Sequence, residues 1–560
     1  MSRHERITPS PGRALVRAGD RAGDSLFRRI AQAMRLSRRS PIRLLAVPRD
    51  PIAGDKGVGA ALLQGRFRCG AHDLAVEELG AGGADLPPEV AERLHSFAWL
   101  RDLGAAATHE RGRKTGESIA RAWLDGLPVK PTGPAWRPDL WGRRILFWTA
   151  YAPYLLASRD QDYRTRLLRL LVRGAQHVER CGDKAGPGLA RISAWSGAVA
   201  AALVVQGPTG RLSRCEAGLG RAIRSGLSDD GGLVSRAPHE QLELIETLAL
   251  LRAAYATTTQ GLPDWLQEAI EGSVSALLCV TLGDAGLSSW QGGNPADPHR
   301  VVAALEGAGA DARPLRQARG WGYQRLQSKD SILVLDAAPP PTARSLAGGS
   351  ASTLAFELSD GTQRLVVNCG GAGEMRSQLP DELVQLLRTT AAHSTLTLGD
   401  CNSTAIHADG SLGRGVGEVN LERGTRDGFA MIEASHDGYV RRFGLVHQRQ
   451  VLLAPDGKTL NGQDVLIAQG RTGRKLVPFI IRFHLAPAVE VTSTADGRGA
   501  LLRVRGHKAW QFRCRGGLLA VEDSLWLDGR GMPRSTLQLA VSGESPAEGM
   551  TISWELKRAS

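Results

Sequence analysis

Near residue 320 the hydrophobic rhythm of this 560-residue chain changes, and that change limits the folds open to it. From about 90 to 310 apolar residues recur at helical spacing. Examples are Leu94, Phe97, Trp99 and Leu100; Ile145, Trp148, Tyr151 and Leu155; and Leu242, Leu244, Ile245 and Leu248. Beyond 320 the period drops from about 3.6 residues to about 2. Short apolar stretches such as Ser331-Ile-Leu-Val-Leu335, Arg364-Leu-Val-Val367, Ser394-Thr-Leu-Thr-Leu398 and Ala500-Leu-Leu-Arg-Val504 follow. Asp-Gly and Asn-Gly pairs beginning at Asp360, Asp409, Asp437, Asp456, Asn461, Asp496 and Asp528 punctuate them as hairpin turns. Helices first and strands second predict separate layers: an α+β multidomain protein with an all-α part of hairpins followed by an antiparallel sandwich.

A chain 42% hydrophobic supports two sizeable cores. The net charge of +13 favours an acidic partner: nucleic acid, an anionic membrane or a polyanionic glycan. An arginine-rich, alanine-rich composition is equally the mark of a GC-rich genome, so charge alone decides nothing. Seven scattered cysteines, with no CxxC pair, read as reduced, buried thiols. No run is apolar enough for a membrane span, and the N-terminus shows no secretory signal, so the expected location is cytoplasmic, with the cell envelope or periplasm as the alternative. Residues 1–60 read as a basic leader whose Leu26, Phe27, Ile30, Ala31 and Met34 form an amphipathic helix. Such a helix docks on the protein's own body or makes weak contact with an anionic membrane. The expected boundaries are then 61–315 for the helical domain and 316–560 for the sandwich.

Several strings sharpen this reading: Gly65-Arg-Phe67, Phe97-Ala-Trp99-Leu-Arg-Asp102, Ala135-Trp136-Arg-Pro138, Asp230-Gly-Gly-Leu-Val-Ser235-Arg236-Ala-Pro238, Arg388-Thr-Thr-Ala-Ala-His393-Ser-Thr, His436-Asp-Gly-Tyr439 and Ile481-Arg-Phe483-His484. In order and spacing they resemble the heparinase II/III family of polysaccharide lyases, from about residue 60 to the end. The resemblance implies an N-terminal incomplete (α/α) toroid followed by a C-terminal antiparallel β-sandwich. It also implies β-elimination of an acidic, uronate-containing polysaccharide or oligosaccharide in the groove between them. That reaction needs donors that neutralise the uronate carboxylate, a base for the C5 proton and an acid for the leaving oxygen.

Onto the matching positions the resemblance carries His239, His393 and Tyr439 as candidate catalytic residues, and Arg236, Gln241, Arg388, Trp290 and Asn294 as candidate substrate-binding residues. The departures matter as much. Glu240 stands where relatives commonly place the tyrosine base, and no asparagine lies between Ile192 and Val205, where relatives hold the carboxylate. The family's His-x-His-x-Asp stretch becomes Gly348-Gly-Ser350-Ala-Ser352. The zinc positions of relatives become Ser350, Asn368 and His393, a donor set too poor for the metal, so no cofactor is expected.

Each candidate has a bland counterpart. Ser235 to Gln241 also reads as a capped helix start with Pro238 in its first turn, and Tyr439 as half-buried packing beside His436 and His447. Trp136, Trp141, Trp148, Tyr151, Tyr154 and Trp195 suit a core better than a sugar platform. No P-loop, GxSxG elbow, HExxH or zinc-finger pattern is present. Two functions remain: a polysaccharide lyase, or a glycan-binding or scaffold protein that kept the lyase fold and lost catalysis.

Overall fold

The computed structural model describes residues 42–559 except 80–85, 129, 342–347 and 470–475. The amphipathic segment at 24–34, and any membrane contact through it, lie outside the described residues. Residues 44–560 form one compact unit.

Helices dominate from Lys56–Leu63 to Pro298–Ala308. Local chemistry sets their starts. Asp55 caps Lys56–Leu63 by accepting from the backbone N–H of Gly57 and Val58, Asp160 caps Gln161–Cys181, and Asp297 caps Pro298–Ala308, whose first residue is a proline. Leu189–Val204 is buried along almost its whole length and packs between Pro138–Ala150 and Pro238–Ala256. Glycine permits the first of these approaches, since a Cβ at Gly142 would overlap the carbonyl of Ser193 and one at Gly197 would overlap Gly142. Trp136, Trp141, Trp148 and Trp195 are core residues, each 6% exposed or less. The Arg144 guanidinium lies between Trp123 and Trp141, 4.3 and 4.1 Å from their ring centroids.

The sandwich comprises two antiparallel sheets. A nine-stranded sheet runs from the edge strand Leu518–Leu527 through Pro533–Ser545, Val477–Leu485, Gln363–Val367, Phe356–Asp360, Ser331–Asp336 and Tyr323–Ser328 to Gln317–Ala318, with Leu396–Leu398 also paired to Val477–Leu485. The eight-stranded sheet runs Glu490–Ser493, Gly499–Arg503, Trp510–Arg515, Gly549–Arg558, Thr459–Ala468, Leu445–Leu453, Phe429–His436 and Val419–Arg426. Inward residues of both, among them Leu333, Phe356, Phe483, Ile432, Phe512 and Trp554, form one apolar core. Each such buried side chain contributes about 1.5–3 kcal/mol relative to exposure.

The helical and strand layers are sewn together at Trp321. Its ring covers Gly232, its indole N–H donates to the Leu233 carbonyl at 2.9 Å, and its backbone N–H donates to Asp230 at 3.1 Å.

Candidate functional site

Where helices meet sandwich, the turn Trp290-Gln-Gly-Gly-Asn294 faces the loop that begins at Gly348 and the loop that follows Val367. The three segments touch backbone to backbone. A Cβ at Gly371 would overlap the carbonyl carbon of Gly292, and the backbone N–H of Gly373 donates to the Gly292 carbonyl at 2.8 Å. A Cβ at Gly292 would stand 3.1 Å from the Gly348 carbonyl oxygen. Further along the same sandwich loop, Ser377 reaches the first helices: its backbone N–H and hydroxyl donate to Glu89 at 2.6 and 2.5 Å. Segment 371–378 thus ties the last turns of the helical part to its beginning.

Beneath this seam lies a closed polar network. Arg236 pairs with buried Asp336 and donates to the carbonyls of Trp321 at 2.8 Å and Pro339 at 2.7 Å. The Ser352 hydroxyl donates to Asp336 at 2.7 Å, and Gln291 donates to Ser352 at 3.0 Å while accepting from the Ser350 backbone N–H at 2.8 Å. Tyr323 closes it by donating to the Arg236 carbonyl at 2.6 Å. Arg236, Gln291, Asp336, Ser350 and Ser352 are all 6% exposed or less. Arg236 itself sits at φ 58°, a left-handed conformation that its four side-chain and backbone partners hold in place.

The sequence-derived candidates do not converge on one solvent-facing cleft. Arg236 is consumed by the network. Gln241 is fully buried, accepting from Leu233 N–H and donating to the Gly231 and Ser273 carbonyls, so it staples a turn between helices. His393 is 2% exposed; its Nδ1 contacts the Thr389 carbonyl at 2.7 Å, and burial pushes its pKa down to about 4. Tyr439 is 1% exposed and donates to the Leu396 carbonyl at 2.8 Å, with burial pushing its hydroxyl pKa up. Arg388 donates to Gly349 at 2.8 Å and Trp290 to Ser288 at 2.7 Å, both from buried positions. For Gln241, Tyr439 and Trp290 the physical reason is one: the hydrogen-bonding capacity a substrate would use is turned onto the protein's own backbone or a neighbouring serine, while His393 is withdrawn by burial with its Nδ1 on a carbonyl.

Only His239 and Asn294 are half-buried, and they lie together at the seam's mouth. The His239 ring abuts Gly293, and its Nδ1 is buried without a hydrogen-bond partner.

The zinc positions of the family do not suit a metal here. The Asn368 amide donates to Glu357 at 3.1 Å and Ser289 at 3.3 Å and accepts from Ser394 N–H at 2.9 Å, so its donors and acceptor are spent. His436 and His447 belong instead to a sandwich-core cluster. His447 meets Asp464 at 2.7 Å, Arg449 meets the same carboxylate at 2.8 Å, and Trp554 donates to it at 2.9 Å. Paired with Arg449, Asp464 is held well below the usual carboxylate range despite full burial.

Asp336 and Gln291, which organise the seam, carry little signal in sequence. Asp336 ends an apolar strand, where a lone carboxylate invites a buried partner, and Gln291 opens a Gly-Gly turn.

Residues 310–555 match the family model described as heparinase II/III-like, C-terminal. The chain's C-terminal part is a heparinase II/III-like domain. The fold of the chain is similar to that of heparinase III, with TM-score 0.68 at 13% identity over 98% of this chain and 92% of that one. Heparan sulfate lyase HepC from Pedobacter heparinus aligns with TM-score 0.57 at 14% identity, over 90% of this chain and 82% of the other. These likenesses make the heparinase II/III-like architecture a lyase-type toroid joined to a β-sandwich. A curated relative, FtsZ-localized protein C of Caulobacter vibrioides, is 27% identical over 551 residues, covering 93% of this chain and 91% of that protein. At the positions where the heparinase II/III-like resemblance implies imidazoles and a carboxylate, this chain keeps only the closed serine network.

Proposed function

We propose that this chain is a non-catalytic protein on the polysaccharide-lyase fold that localises with FtsZ, as its Caulobacter vibrioides relative, named FtsZ-localized protein C, does by its name. The observation that carries the loss of catalysis is the seam. Gly292, Gly348 and Gly371 bring backbone against backbone where a glycan would have to lie, over a network whose polar groups answer one another. Elimination needs a base within hydrogen-bond reach of the substrate proton. Tyr439 is turned inward onto a carbonyl, and His393 is 2% exposed with its Nδ1 on the Thr389 carbonyl, which leaves half-buried His239 to the second reading below. The fold then serves as a scaffold, and the cytoplasmic placement read from the sequence is part of this proposal.

The test is paired. Purified protein is sedimented with polymerised FtsZ from the same organism and, separately, incubated with heparan, chondroitin and hyaluronan while the ultraviolet absorbance of unsaturated uronate is followed. Co-sedimentation with a flat absorbance trace is the expected result; a rising trace would sink the non-catalytic reading.

A second reading, a lyase or binder of acidic glycans, draws on the half-buried pair His239 and Asn294 and on the lyases whose fold this chain shares. It requires that His239→Ala abolish elimination or glycan binding.

A further inference from the structure

Within the helical part the positive charge is concentrated. Between residues 161 and 226, eleven Lys and Arg residues stand against four Asp and Glu, and nine of the eleven lie on the helices Gln161–Cys181 and Arg211–Gly226. On the first, Arg166, Arg169, Arg173 and Arg180 are all exposed and recur at i, i+3, i+7 and i+14. At 3.6 residues per turn they fall inside an arc of about 60°, a stripe about 21 Å long. On the second, Arg214, Arg221 and Arg224 are exposed in the same manner. Both helices pack on the buried helix Leu189–Val204, and they adjoin: Arg211 donates to Glu179 at 2.7 Å, and Arg221 meets Asp183 at 3.4 Å.

Carboxylates are scarce on this surface. Glu179 is taken by Arg211, Glu216 accepts from Tyr255 at 2.7 Å, and Asp125 is engaged by Arg166 at 2.6 Å. Arg169, Arg180, Arg214 and Arg224 have no carboxylate within ion-pair distance among the described residues. Elsewhere solvent-facing arginines are answered, as Arg66 is by Asp73, Arg137 by Asp139 and Arg534 by Asp528. Like charges three or four residues apart destabilise a helix, a cost that an anionic partner removes.

The surroundings narrow the kind of anion. Neither helix contributes an exposed large apolar side chain, which leaves nothing to insert into a bilayer. The rings beneath the stripes, Trp136 under Arg173 and Trp195 under Arg221, are 3% and 6% exposed, so none is offered to stacking bases. The arginines of the first stripe are separated by about 4.5, 6 and 10.5 Å of helical rise. An extended polypeptide presents alternate side chains on one face about 6.6 Å apart, within reach of such a row.

We propose that the outer faces of these two helices dock an acidic polypeptide segment, its carboxylates paired with Arg169, Arg180, Arg214 and Arg224. Forked guanidinium and carboxylate pair bidentately, and several such pairs on a surface give a fast, salt-sensitive contact. The surface goes beyond the proposed localisation with FtsZ and does not depend on it.

Fluorescence anisotropy of labelled poly-L-glutamate with the full chain, at an ionic strength of about 0.15 M, tests the surface. A variant combining Arg169→Gln, Arg180→Gln, Arg214→Gln and Arg224→Gln retains good helix formers. It should weaken binding by about tenfold or more with the melting temperature unchanged. The comparator removes four exposed charges from the sandwich, Arg498→Gln, Arg503→Gln, Arg505→Gln and Arg530→Gln, and should stay within about twofold of the parent. Both variants keep the basic residues of 1–43, so the difference between them reports the helical surface alone. No binding, or equal weakening by the two variants, overturns the surface. Duplex DNA and phosphatidylglycerol vesicles are titrated alongside; if the helical variant weakens either of them more than poly-L-glutamate, the polypeptide is the wrong partner and the proposal falls.

Discussion

Arg236 beneath the seam between helices and sandwich and Arg211 at the start of the helix Arg211–Gly226 are both buried arginines left in opposite states. Arg236 at the seam has its charge met by Asp336 and its remaining donors met by the carbonyls of Trp321, Ala338 and Pro339. Arg211 has one nitrogen met by Glu179 and one buried without a partner. Satisfied polar groups rigidify a structure and specify one packing, whereas an unsatisfied one remains a cost to the fold. The seam's arginine is answered entirely from within the chain.

Removing the seam's charge gives the largest expected effect. Arg236→Ala leaves Asp336 buried and unpaired and should lower stability by about 3–5 kcal/mol in urea denaturation. An unchanged midpoint would mean that Asp336 reaches water and the seam is open. Gly371→Val comes next. Its side chain must displace the backbone of Gly292, at a cost of about 1–3 kcal/mol by the same measurement.

Acid sharpens the contrast between buried and exposed regions. Burial depresses His393 to about 4 and His484 to about 3, below their ordinary value of 6.5. Between the folded and unfolded values the unfolded chain binds more protons, so stability is full above about 6.5 and declines as pH falls toward 4 and then 3. Thermal melts across that window should show the decline, and His484→Gln, if it folds, should flatten its lower part. The smallest effect belongs to the other arginine. Arg211→Met should shift stability by about 1 kcal/mol or less, because one ion pair is exchanged for the removal of an orphaned donor. A loss as large as that of Arg236→Ala would erase the distinction between the two arginines.

The architecture was legible because period and turn chemistry are local. The switch near 320 and the Asp-Gly pairs carry it, and the strings around Trp136, Asp230 and His393 supplied the family. The loss of the His-x-His-x-Asp stretch was legible too, as Gly348, Ser350 and Ser352. What replaced it was not, since Gln291 and Asp336 meet those serines from elsewhere in the chain, through pairings that no spacing encodes. Arg236 reads in sequence as a carboxylate binder, and it binds one; the carboxylate is Asp336 of its own chain. Burial likewise separates the readings of His393 and Tyr439, which depend on the direction a side chain takes within a strand or turn rather than on its neighbours in sequence.

The contact among Gly292, Gly348 and Gly371 also bears on how this lineage can change. Any side chain added at Gly371 collides with Gly292 before it could touch a substrate, and Gly292 and Gly348 both hold left-handed backbone that other residues resist. A groove at this place would therefore require the loops to part before any new imidazole could be useful, and parting them alone brings only instability. Single-step mutation meets a valley in either direction. The three missing methyl groups act as a ratchet: whatever else on the surface changes, one substitution at a time does not open these loops.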